Sequence, residues 1–156
     1  MLRLYGRCPK GQRLFASAPA GHWNTTTMIA TIGLDGLAAP WVLSGAMDGD
    51  AFLIYVEFVL VPTLHCDDIV VMDNLSCHKL PRVAELINAV GAEVWYLPPY
   101  SPDLNPIEEM WSKVKTILRT LAARTVDSLV KAVGQAFSQV TLDDLRGWIT
   151  HRRRTT

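Results

Sequence analysis

The chain has 156 residues, 49% hydrophobic and 19% charged, with 15 basic and 15 acidic side chains that cancel to a net charge of zero. This suits one globular domain with a substantial buried core, and it excludes the charge excess of a disordered tail. No apolar run reaches membrane-span length, MLRLYGRCPKGQRLF does not read as a secretory signal, and Cys8, Cys66 and Cys77 form no CxxC pair, as expected of reduced thiols in a cytosolic protein.

Residues 1–24 are rich in Gly, Pro and basic side chains and read as loop or a short hairpin. Thr26 to Gly33 alternates, with Met28, Ala30 and Ile32 on one side, which predicts a strand. Asp35-Gly36 is a turn signal, and Leu37 to Leu43 predicts a second strand that Pro40 places at a sheet edge. Phe52, Leu53, Val56, Val59 and Leu60 have helical spacing over residues 51–62, with Asp50 as N-cap and Asp48 in the preceding loop. Asp68 to Met72 is an apolar run after its first residue, the pattern of a parallel strand buried on both faces. A helix over 80–90, with Pro81 in its first turn and Gly91 as its stop, leads to a strand at Val94 to Leu97.

The segment PPYSPDLNP has four prolines in nine residues and predicts a rigid connection. A long helix is expected from Pro106 to about Leu121, then helices over 126–138 and 142–150, the last with Thr141 and Asp144 as a capping pair. The order predicts an α/β fold, a mixed sheet with helices packed on it.

The zero net charge conceals a division. Residues 1–34 hold four basic and no acidic side chains, residues 35–109 twelve acidic and two basic, and residues 110–156 nine basic and three acidic. An acidic middle between basic ends suits a metal site flanked by phosphate-binding surfaces; it also suits solvated faces that merely differ in charge.

Two carboxylates stand out. Asp73 ends the apolar run at the carboxyl end of a strand, where ligands collect in open α/β sheets, although Asp-Asn is also a turn pair. Glu108 opens the long helix, where it can complete a capping box with Asn105. Ser112, Lys115 and Arg119 follow Glu108 along one polar stripe, and Lys113 lies nearby. A carboxylate with cations beyond it can hold a metal and track a phosphate backbone; a solvated helix face gives the same pattern. His78 follows Asp73 by five residues and can approach a phosphate or serve as an ordinary loop histidine. There is no Gly-rich phosphate loop, no GxSxG, and no Cys/His cluster for zinc.

The stretches VVMDNLSCHK and LPPYSPDLNPIEEMWSKVKTILR resemble the catalytic core of mariner-superfamily DDE transposases, the bacterial insertion-sequence branch above all. Between Asp73 and Glu108 lie 34 residues, as between that family's second and third acidic residues. YGRCPKG, the strand pair and AFLIYVEFVLVPTL extend the resemblance over nearly the whole chain. It implies a ribonuclease-H-like fold and DNA transposition, by cleavage and strand transfer that use two Mg²⁺ or Mn²⁺ ions. It implies catalytic and metal-binding roles for Asp73 and Glu108, supporting roles for Asn74 and His78, and DNA contacts by Lys113, Lys115 and Arg119. The implied partners are transposon ends and target DNA, with a homo-oligomer or a separately encoded N-terminal part, in the cytoplasm at the nucleoid.

In that family a first aspartate ends a central strand ahead of the YGR-like segment, and a helix-turn-helix region precedes it. Here the first acidic residue is Asp35, which reads as a turn residue. The resemblance therefore implies a catalytic domain incomplete at its N-terminus, lacking its first strand and inactive alone. The alternative is a non-catalytic DNA-binding or oligomerising fragment that modulates a full-length transposase. A ribonuclease-like enzyme fits the proline-rich run less well.

Overall fold

The alternating segment Thr26–Gly33 forms strand β1 and Gly36–Ser44 forms strand β2 of an antiparallel hairpin. The structure, a computed structural model, describes residues 7–13, 15, 25–99, 101, 104–123 and 125–153. Much of the expected loop over 1–24, the start of YGRCPKG, Tyr100, Pro102 and Asp103 of the proline-rich run, and the end of HRRRTT lie outside the described residues.

Gly33 pairs with Gly36, so the hairpin loop is Leu34-Asp35, one residue earlier than the turn signal indicated. The register shifts between Ile29 and Thr31, where Ala39 and Pro40 stand opposite Ala30. A bulge accommodates Pro40, which has no N–H for the ladder, and Ala39 takes a left-handed φ of 49° there. The buried Tyr55 hydroxyl donates to the Ala39 carbonyl at 3.0 Å.

Helix α1 is Gly49–Tyr55, and its N-cap is Asp48 rather than Asp50: the Asp48 carboxylate accepts from the Ala51 N–H at 2.8 Å. The predicted helix to residue 62 is not uniform. It passes into a π-helical turn, Val56–Leu60, and a 3₁₀ turn, Val61–Thr63, where Pro62 cannot donate to a continued α-helix.

Strand β3 (Ile69–Met72), helix α2 (Pro81–Asn88) and strand β4 (Glu93–Tyr96) form a parallel βαβ unit, with Ile69 opposite Glu93 and Met72 opposite Tyr96. Gly91 follows α2 with φ of 81°, and a Cβ there would meet the Cys66 sulfur at 3.0 Å, so glycine is required on two counts. The expectation that β3 is buried on both faces is corrected. Val70 and Met72 pack into the core beside α1 and α2, but Ile69 and Val71 are 49% and 53% exposed, because no helix covers their face among the described residues.

Helix α3 is Ile107–Leu121, and its Met110, Val114 and Leu118 are buried. It packs on helix α4, Val126–Ser138, which Thr125 and Ser128 close with a reciprocal capping box. Helix α5, Leu142–Arg153, runs three residues past its predicted end.

Two cores result. One joins α1, α2 and β3 to Ile29, Ala39 and Trp41 of the hairpin. The other joins α3 and α4 to Met28, Ala30 and Val42 from the opposite hairpin face. Burial of each large apolar side chain stabilises such cores by about 1.5–3 kcal/mol. The strands form two two-stranded sheets, β1–β2 and β3–β4, with no described strand bridging β1 and β3, as expected of an α/β sheet without its central strand.

Candidate active site

Asp73 leaves β3 one residue after the buried Met72. Its Oδ1 accepts the Leu75 N–H at 3.1 Å, the turn contact that its sequence favours. The same oxygen lies 2.7 Å from His78 Nδ1. That approach lacks hydrogen-bond alignment, which leaves the buried Nδ1 without a formed hydrogen bond. The contact is therefore a short approach and not a formed hydrogen bond. Oδ2 has no partner among the described residues.

The loop is fixed from three directions. The Asn74 side chain donates to the Leu97 carbonyl, and the Leu97 N–H donates to the Met72 carbonyl at 2.8 Å, so the exits of β3 and β4 are tied together. The Tyr96 hydroxyl donates to the His78 carbonyl at 2.9 Å. The His78 ring lies 4.5 Å from the Phe52 ring of α1. Tyr96 was not singled out from sequence, and Phe52 only as an apolar helix position; the aromatic residue ending β4 was the available signal.

Glu108 is the second residue of α3 and exposed. The expected capping box does not form through it. The Asn105 side chain instead accepts the Ile107 N–H at 3.2 Å, and the Glu108 carboxylate has no partner among the described residues. Asp73 and Glu108 line the same cleft of about 730 Å³, and both also border a neighbouring hollow beside Asn74, Lys79 and Pro98. Lys79, overlooked in the sequence, is a cation at this mouth.

The three cations expected on α3 separate. Lys115 and Arg119 are exposed, whereas Lys113 donates to the Asp144 carboxylate of α5. Burial pushes the Cys77 thiol up in pKa, which keeps it protonated beside the site. Among the described residues, no group of three or more His, Cys, Asp or Glu comes together to hold a metal.

Residues 1–130 match the family model of the DDE superfamily endonucleases. The chain belongs to this family. Its fold resembles one chain of the crystal structure of the Mos1 strand transfer complex, with a TM-score of 0.74 at 18% identity. The likeness covers 97% of this chain and 47% of that one, so the chain spans about half the length of this relative. No curated protein matches the sequence significantly. The DDE domain thus has the expected ribonuclease-H-like α/β architecture, and the expected DDE family is borne out.

Within the DDE family, divalent metal is the general requirement, and the donor set here fits an oxygen-loving cation. Carboxylate oxygens are hard ligands, and a Mg²⁺-sized ion commonly uses one or two carboxylates, completing its shell with water and phosphate oxygens. Asp73 Oδ2 and both Glu108 oxygens are available for it among the described residues. Among those residues no helix is long and apolar enough to cross a membrane.

Proposed function

We propose that this DDE domain serves DNA transposition, with Asp73 and Glu108 as its metal-binding, catalytic carboxylates. The observation that carries the reading is that a strand exit and a helix start bring two carboxylates with free oxygens to one cleft. Bound Mg²⁺ or Mn²⁺ would activate an attacking oxygen and stabilise a leaving one at phosphorus.

The chain's own residues then have distinct tasks. Asn74 fixes the direction in which Asp73 leaves β3, through its bond to Leu97. His78, seated on Phe52, holds Asp73 Oδ1 from the side and leaves Oδ2 facing the ligand. Lys79 at the mouth attracts a phosphate, and Lys115 with Arg119 extends that attraction along α3. The DNA partners are transposon ends and target DNA, which places the protein at the nucleoid. Two carboxylates suffice for one ion; a second ion needs a further acidic ligand, so the described residues alone support little or no strand transfer.

Calorimetric titration with Mn²⁺ tests the site. Asp73→Asn and Glu108→Gln should each weaken binding by about tenfold or more, which is about 1.4 kcal/mol. Equal affinity in both variants and the unaltered chain would remove the reading.

A further inference from the structure

Two residues at the exit of β4 hold the segment that follows β3. The Leu97 carbonyl accepts from the Asn74 side chain, next to Asp73, and the Tyr96 hydroxyl donates to the His78 carbonyl at 2.9 Å. The first bond fixes the near end of the segment, and the second fixes its far end. Tyr96 stands opposite Met72, so its ring leaves β4 on the same face as that buried side chain.

The far end is a 3₁₀ turn, Ser76–Lys79, with no side-chain cap. Within it the His78 N–H donates to the Leu75 carbonyl at 3.0 Å, and such short turns have poor internal hydrogen-bond geometry. The Phe52 ring lies against His78, and Leu80 packs into the first core. Apolar contacts of this kind press the turn down without orienting it, because they are non-directional. The phenol bond is directional and supplies the orientation. The turn ends in Lys79, which stands beside Asp73, Asn74 and Glu108, and its ammonium has no partner among the described residues. A lysine is a point charge on a flexible stem, so the direction in which its backbone launches that stem decides where the charge can reach.

We propose that Tyr96 is a positioning residue, whose hydroxyl fixes the orientation of the Ser76–Lys79 turn and thereby presents Lys79 at the mouth of the site. The use of Lys79 on phosphate rests on the reading above; the tether itself rests on the bond from Tyr96 to His78. The two ends of the segment then have separable tasks. The Asn74 end governs the cation at Asp73, and the Tyr96 end governs the phosphate at Lys79.

The test uses the full chain, with Mn²⁺ calorimetry, filter retention of duplex DNA and NMR amide exchange. Tyr96→Phe removes one hydroxyl and should weaken DNA retention about two- to tenfold, the range expected of one net hydrogen bond. Exchange of the His78 amide should quicken by a similar factor, while Mn²⁺ affinity changes by less than about twofold. Added to Lys79→Met, Tyr96→Phe should cost DNA retention nothing further. Tyr55→Phe, which deletes a phenol hydroxyl bonded elsewhere, should move neither Mn²⁺ nor DNA binding. The inference is overturned if His78 exchange is unchanged in Tyr96→Phe, if Mn²⁺ and DNA binding fall equally, or if the effects of Tyr96→Phe and Lys79→Met add in full. Quickened exchange at His78 with DNA retention unmoved by Lys79→Met would uphold the tether and sink the phosphate reading of Lys79 instead.

Discussion

Lys113 of α3 donates to Asp144 of α5, and the same Asp144 Oδ2 accepts the Thr141 N–H at 2.9 Å and the Thr141 hydroxyl at 2.8 Å. One carboxylate thus closes the start of α5 and fastens that helix to α3. The Lys113 hydrogen bond, followed by those from Thr141, lowers its pKa from 3.8 to about 2. The carboxylate is bound more tightly as an anion in the folded state, so its contribution is complete above the ordinary value and is lost as the pH falls from 3.8 towards 2. Carboxyl NMR titration should show Asp144 returning towards its ordinary pKa in Lys113→Met. Asp144→Ala, by removing the helix-start contacts as well, should cost about 0.5–2 kcal/mol at neutral pH and almost nothing in strong acid.

The same pairing separates the cations of α3 by function. Lys115→Ala and Arg119→Ala should each reduce DNA retention and lower the slope of log affinity against log salt by about one. Lys113→Ala should change that slope least, because its ammonium is engaged with Asp144. Filter retention of duplex DNA over a salt series measures all three, and an equal loss for Lys113 would show that the pair opens when DNA binds.

Tyr55→Phe removes the donor that satisfies the Ala39 carbonyl at the hairpin bulge. Ala39 is only 4% exposed, so water does not readily replace the lost bond. The variant should lose about 1–3 kcal/mol in urea denaturation, with an unchanged denaturant slope. Burial pushes the Tyr55 phenol pKa far up, so this contribution should stay constant through mild alkali.

Much of this was legible from residue pattern. Alternation located β1, and helical spacing located α3 and α4, because each buries a single continuous stripe. The carboxylate pair was legible through its spacing and the prolines between, where either residue alone had a turn or capping explanation. Periodicity, however, reports which faces are apolar and not which edges pair. For that reason the uncovered face of Ile69 and Val71 was invisible, and the separation of β1 from β3 was legible only through the resemblance, which implied a missing central strand. Capping was misread at α1 because Asp48 and Asp50 are chemically equal, and only backbone geometry decides which one meets a free N–H. The engagement of Lys113 depends on α5 returning to α3, a contact between residues 31 apart that no local pattern encodes.

The hairpin is the shared wall of two cores, with Ile29 and Trp41 facing one and Met28, Ala30 and Val42 the other. In an ordinary hairpin, a slip by one residue exposes the apolar face and is rejected for that reason. Here a slip would exchange one apolar set for another, so hydrophobicity polices register weakly. Fidelity must come from local marks: the tight Leu34-Asp35 loop between two glycines, the bulge at Ala39 and Pro40, and the Tyr55 hydroxyl that recognises only the correctly placed carbonyl. Tyr55 thereby acts as a proofreading contact for strand alignment, favouring the one register in which the Ala39 carbonyl meets its hydroxyl.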